Sequence, residues 1–95
     1  MNRNVMYHYL TDLGLYSIRR WSDDRHRYHT EFVMDRDSNQ TDITIIFDWG
    51  YVRHVRYIWL CNSEIVIQGG LSDLKINVNY RDIEKFEVRI EYDDE

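Results

Sequence analysis

Ninety-five residues, 43% of them hydrophobic and 15% aromatic, are enough for one modest core and too apolar for a disordered chain. One cysteine, Cys61, excludes an internal disulfide and fits a reducing, cytoplasmic compartment; no charged, apolar leader stands at the N-terminus. No apolar run reaches the roughly 18 to 20 residues that cross a bilayer, so no membrane association is expected.

Along the chain, Asn4 followed by Val5, Met6, Tyr9, Leu10 and Leu13 places apolar residues on one helical face, and Gly14 suits a left-handed C-terminal cap; a helix is expected over 4 to 13. After Gly14 the period changes to two. Residues 15 to 21 and 27 to 34 are strand-forming runs joined by a turn rich in serine and aspartate, which makes a hairpin. A second turn follows at 35 to 41. The run 42 to 49 then sets Ile43, Ile45, Phe47 and Trp49 on one face, and Gly50 allows a reversal.

Residues 51 to 60 are apolar on both faces toward their end, as in one strand entering the interior of a sheet, and 64 to 68 follow after a short turn. Gly69 and Gly70 punctuate as a hairpin turn. Leu74, Ile76, Val78 and Tyr80 alternate cleanly, and so do Phe86, Val88, Ile90 and Tyr92. The connections are too short for parallel crossovers. The expectation is one α+β domain spanning 1–95, a short N-terminal helix packed on a single twisted antiparallel sheet of about six or seven strands, with an acidic end over 82–95.

The net charge of −5 is concentrated in that end: Asp82, Glu84, Glu87, Glu91, Asp93, Asp94 and Glu95 stand against Lys85 and Arg89. With Phe86, Val88, Ile90 and Tyr92 turned inward, Glu87, Arg89 and Glu91 share the outer face, and the carboxylates collect on one side and end of the domain. They are the primary candidates for partner binding.

The stretch 22 to 35 crowds aspartates, arginines and histidines together. On a helix, Asp23, His26 and His29 would share a face and begin a metal site; on a strand, His26 and His29 point to opposite faces. The alternation of Tyr28, Thr30, Phe32 and Met34 selects the strand, so no metal is expected. Arg19, Arg20, Arg25 and Arg27 lie on the two limbs of the hairpin, with Trp21 and Tyr28 available for stacking, which could neutralise phosphates. Asp23, Asp24 and the acidic end oppose direct nucleic-acid binding, and a solvated hairpin face with cross-strand ion pairs is the expected state.

Cys61, His54 and Asp48 could be drawn as nucleophile, base and orienter, but nothing in the sequence brings them together, and a structural cysteine is expected. The histidines at 8, 26, 29 and 54 have no catalytic spacing, so no catalytic residue and no cofactor is expected. Eight tyrosines and three tryptophans exceed what so small an interior can bury, and Tyr, Trp and Arg dominate the energetic centres of interfaces. Tyr7, Tyr16, Tyr51 and Tyr57 are the surface candidates. Tyr51 and Tyr57 join Arg19, Arg20, Trp21, Arg25, Arg27 and Tyr28 as a secondary partner-binding set.

In size, acidity and aromatic richness the chain resembles two functional groups, phage-encoded anti-defence inhibitors, such as anti-CRISPR and anti-restriction proteins, and toxin-neutralising immunity proteins. The absence of alanine and proline also fits an AT-rich source such as a phage. The resemblance implies a non-catalytic inhibitor that occupies the basic surface of a nucleic-acid-processing enzyme, with carboxylates in place of phosphates. The alternatives are a small nucleic-acid-binding regulator using the Arg-rich hairpin and a small hydrolase or nuclease; a homodimer is left open.

Overall fold

The computed structural model describes residues 1–22, 27–70 and 74–93. Among these residues are one α-helix, α1 (Arg3–Asp12), and eight strands: β1 (Tyr16–Ser22), β2 (Arg27–Val33), β3 (Gln40–Phe47), β4 (Gly50–Val52), β5 (Val55–Leu60), β6 (Glu64–Gly69), β7 (Lys75–Asn79) and β8 (Phe86–Tyr92). The fold is α+β and the strands pair antiparallel, as expected. The single sheet of six or seven strands is not what forms. The eight described strands divide into a five-stranded sheet ordered β1-β2-β5-β6-β7 and a three-stranded sheet ordered β4-β3-β8.

The division has a local cause. Val52 and Val55 both turn toward the interior, a spacing of three that one continuous strand cannot satisfy. The chain therefore breaks at Arg53 and His54, with His54 in the left-handed region at φ 55°. The expected strand 51–60 becomes β4 in one sheet and β5 in the other. Gly69 receives the kink: a Cβ there would lie 3.0 Å from Val55 Cα, and Gly70 N–H donates to the His54 carbonyl at 2.8 Å. The chain also changes sheets through residues 34–39 and 80–85, each crossing containing a short 3-10 turn.

The inner faces of the two sheets meet over one core. Phe32, Ile58, Leu60, Ile65 and Ile67 come from the five-stranded sheet, and Ile43, Ile45, Phe47 and Val88 from the three-stranded one. Met6 and Leu10, one turn apart on α1, join it, as do Leu15, Val55, Tyr80 and Ile83. The helix touches both sheets, Tyr7 edge-on to Phe32 and Tyr9 edge-on to Phe86. It starts one residue earlier than expected because Asn2, not Asn4, caps it: its side chain accepts the Val5 N–H at 3.0 Å. Val5 consequently faces solvent, and Gly14, at φ 84°, turns the chain out of the helix. Gln40 is buried and ties two turns together, accepting from Asp35 N–H and donating to the Gly14 carbonyl.

Three side chains depart from the alternation. Leu74, just before β7, is 77% exposed. Trp49 falls in the turn after β3 and is exposed, stacked flat on Phe47 with ring centroids 4.7 Å apart. Tyr92, at the end of β8, is also exposed. Strand β8 is an edge strand, and Tyr9 covers part of that edge, its hydroxyl accepting the Val88 N–H at 3.0 Å. Tyr9→Phe keeps the ring packing and removes only this acceptor; an expected loss of about 1 kcal/mol in urea-induced unfolding checks the contribution.

Candidate functional site

Each sheet buries one face and leaves the other open, so the surface chemistry is set by strand parity. On the five-stranded sheet the register aligns two rows across the open face. One runs Ile18, Glu31, Trp59, Val66, Asn77. The other runs Tyr16, Val33, Tyr57, Gln68, Lys75, with Val33 and Tyr57 one step along from the Phe32–Ile58 pair. Tyr57 and Trp59 sit on β5, the middle strand, and Tyr16 and Tyr57 are 56% and 39% exposed. A register shift between Val55 and Tyr57 leaves Arg56 and Tyr57 both exposed, which adds a cation to this face.

The aromatic pair is held in place by its neighbours on the same face. Glu31 is only 8% exposed, and its carboxylate accepts the Trp59 indole N–H at 2.8 Å and the Arg20 guanidinium at 3.4 Å. Trp59 stacks on Tyr57 at 5.3 Å with rings 8° from parallel, and Lys75 Nζ lies 5.0 Å from the Trp59 ring centroid. His29 stands beside this cluster. Partial burial lowers its pKa, with Arg20 acting in the same sense and Glu31 against it.

Of the hairpin arginines whose side chains are described, Arg19 and Arg20 do not share a face. Arg20 joins the open face, while Arg19 and Trp21 have the parity of Ser17, opposite buried Phe32, and so belong to the other side of the sheet. Arg27 and Tyr28 are placed by backbone register alone, opposite Ser22 and Trp21. Arg25, Asp23, Asp24 and His26 lie outside the described residues, as do Asp94 and Glu95.

The acidic residues are spread along the three-stranded sheet rather than gathered at one end. Asp82 belongs to the 3-10 turn before β8 and Glu84 to the loop after it, whereas Asp93 follows the far end of the strand, its N–H donating to the Asn39 carbonyl. Between them, Glu87 and Glu91 occupy the open face as expected. They share it with Arg89, whose Nε is 3.1 Å from Glu87, and with Asp42, Thr44, Ile46 and Tyr51. This face is mixed in charge.

Cys61, His54 and Asp48, which no sequence pattern groups, are not assembled. His54 and Cys61 flank opposite ends of β5, and His54 Nδ1 lies 3.0 Å from Asp42 instead. Cys61 is half-buried, its carbonyl accepting the Tyr80 hydroxyl at 2.6 Å; burial pushes the Tyr80 pKa up. Among the described residues, no group of three or more His, Cys, Asp or Glu side chains could hold a metal ion, and no helix is long and apolar enough to cross a membrane.

Sequence reasoning reaches Tyr16, Tyr57 and Arg20 but misses Glu31, Trp59, Arg56 and Lys75. Trp59 is legible in principle, because in a strand with Ile58 and Leu60 inward it must face out. No protein-family model, no curated protein and no solved structure matches this chain.

Proposed function

We propose that this chain is a non-catalytic protein-binding domain that inhibits its partner by occlusion, docking through the open face of the five-stranded sheet. The observation that carries this reading is the aromatic centre of that face. Tyr57 and Trp59 lie on the middle strand, flanked by Tyr16, Ile18, Val33 and Val66 and rimmed by Arg20, Arg56 and Lys75. A central aromatic cluster with a charged rim is the anatomy of an energetic hot spot. Fixing Trp59 through Glu31 lowers the ordering cost of association.

The net charge of −5 adds long-range attraction to a partner of opposite sign. A nucleic-acid-processing enzyme, with its basic cleft, is such a partner. In this reading the carboxylates along β8, on the other sheet, act on encounter only through the net charge, and the aromatic face with its cationic rim supplies affinity beside the basic cleft rather than within it. The nucleic-acid-binding alternative draws less from the geometry, because Arg19 and Arg20 point to opposite sides of their sheet.

The test is affinity capture from the native host with the full chain and with Tyr57→Ala, repeated after nuclease treatment. One stoichiometric protein is expected, nuclease-resistant, inhibited in its own assay, and bound at least about tenfold more weakly by Tyr57→Ala. Nuclease-sensitive recovery, or a partner indifferent to Tyr57→Ala, overturns the proposal.

A further inference from the structure

The open face of the three-stranded sheet has a chemistry of its own, on the opposite side of the molecule from the aromatic rows. Between β3, β4 and β8 lies a depression of about 900 Å³. Thr44 is at its centre. Arg89 is its register partner on β8, and because Val52 pairs with Ile45, Arg53 comes level with Thr44 from the other side. Two arginines thus flank one hydroxyl across three strands. With strands about 4.8 Å apart, their side chains can reach a common point above it.

The histidine beside them is held by an anchored carboxylate. Asp42 follows a register shift in β3, and both of its oxygens are engaged, Oδ1 by the Ile43 N–H at 3.0 Å and Oδ2 by His54 Nδ1 at 3.0 Å. This contact holds the His54 ring and leaves Nε2 for another partner. His54 itself adopts φ 55°, in the left-handed region that costs a non-glycine residue energy and recurs at functional sites. Two ladder irregularities of the fold, at Gln40/Asp42 and Val55/Tyr57, bracket this pair.

Guanidinium donors remain unspent on this face. Glu87 takes only the Nε of Arg89, and Arg53 lies over the Tyr51 ring at 5.0 Å without an ion pair among the described residues. Two guanidinium groups and a hydroxyl match three oxygens of a phosphate, and His54 Nε2, opposite the Nδ1 turned to Asp42, can accept from a protonated phosphate oxygen. Asp42, Glu87 and Glu91 border the two guanidinium groups, so the site suits one phosphate seated between Arg53 and Arg89 rather than a chain of them. One row further along is Tyr51, 60% exposed, with one ring face against Arg53 and room for a base on the other.

We infer that this depression binds the phosphate of a nucleoside monophosphate, free or at the 5′ end of a strand, through Arg53, Arg89, Thr44 and His54, with the base on Tyr51. The site is separate from the docking face, and its test does not depend on that face.

The full chain, labelled for amide and imidazole resonances, is titrated with inorganic phosphate, AMP and adenosine. Saturable shifts centred on Thr44, His54 and Arg89 are expected with phosphate and AMP, tighter for AMP, and none with adenosine. Arg53→Gln and Arg89→Gln, both exposed and checked for an unchanged amide spectrum, are each expected to weaken AMP binding about tenfold. No saturation by about 10 mM AMP overturns the inference. So does AMP binding that survives both substitutions together. A short strand with a 5′ phosphate, compared with its 5′-hydroxyl form, identifies the source. Preference for the phosphorylated strand over AMP assigns a strand end, and equal affinity assigns the free nucleotide; adenosine binding as well as AMP overturns phosphate recognition.

Discussion

Replacing Phe32 by alanine is expected to remove about 3–5 kcal/mol of stability, a large part of the roughly 5–15 kcal/mol that holds a domain of this kind together. Phe32 is fully buried on β2, opposite Ser17 on one side and Ile58 on the other, with Tyr7 of α1 edge-on at 5.7 Å. It stands where the helix meets the five-stranded sheet. Neither neighbour can close the space, because Ile58 is held by its own ladder and Tyr7 by the helix. Ile58→Val, which removes one methylene from the same layer, is expected to cost only about 0.5–1.5 kcal/mol. Urea-induced unfolding of both variants measures the contrast, and a Phe32→Ala loss below about 1 kcal/mol would show that the helix does not pack there.

Much of this core is legible in the residue pattern. Ile43, Ile45 and Phe47, and likewise Val88 between Phe86 and Ile90, follow from the two-residue period alone, since only one face of each strand is apolar. What the period does not contain is which strand pairs with which. β3 pairs with β8, far along the chain, and with β4 beside it, while β2 reaches past both to β5. Those pairings decide that there are two sheets. The break that permits them has a visible signal in Val52 and Val55, two inward residues three apart, but the apolar run beyond it masks the change of parity. The same break carries Arg53 and His54 to the face of Thr44, so the site they form is hidden for the same reason. Asp42 and His54 also lie on different elements, a proximity that no local pattern encodes.

Replacing Glu31 by alanine is expected to cost about 1.5–3 kcal/mol of stability and, in addition, to weaken partner binding. The carboxylate is nearly buried and accepts from two directions, the Trp59 indole N–H at 2.8 Å and Arg20 at 3.4 Å. The contributions differ. Arg20 is half-exposed, and its bond is long, so its ion pair is screened and worth less than about 1 kcal/mol. The short bond to the indole is charge-assisted and shielded by Tyr57 stacked on the same ring. A double-mutant cycle of Glu31→Ala with Trp59→Phe should therefore show a larger coupling than the cycle with Arg20→Gln. Glu31→Gln keeps an acceptor for the indole and should recover part of the loss. The effect on association follows from the same geometry: without Glu31 the indole keeps only its stacking on Tyr57 and its contact with Lys75, so more of its ordering falls to the moment a partner docks. Glu31→Ala should then weaken association at temperatures where the variant is fully folded, with Glu31→Gln intermediate. Unchanged association with lowered stability would confine Glu31 to holding the sheet and move the docking surface away from Trp59.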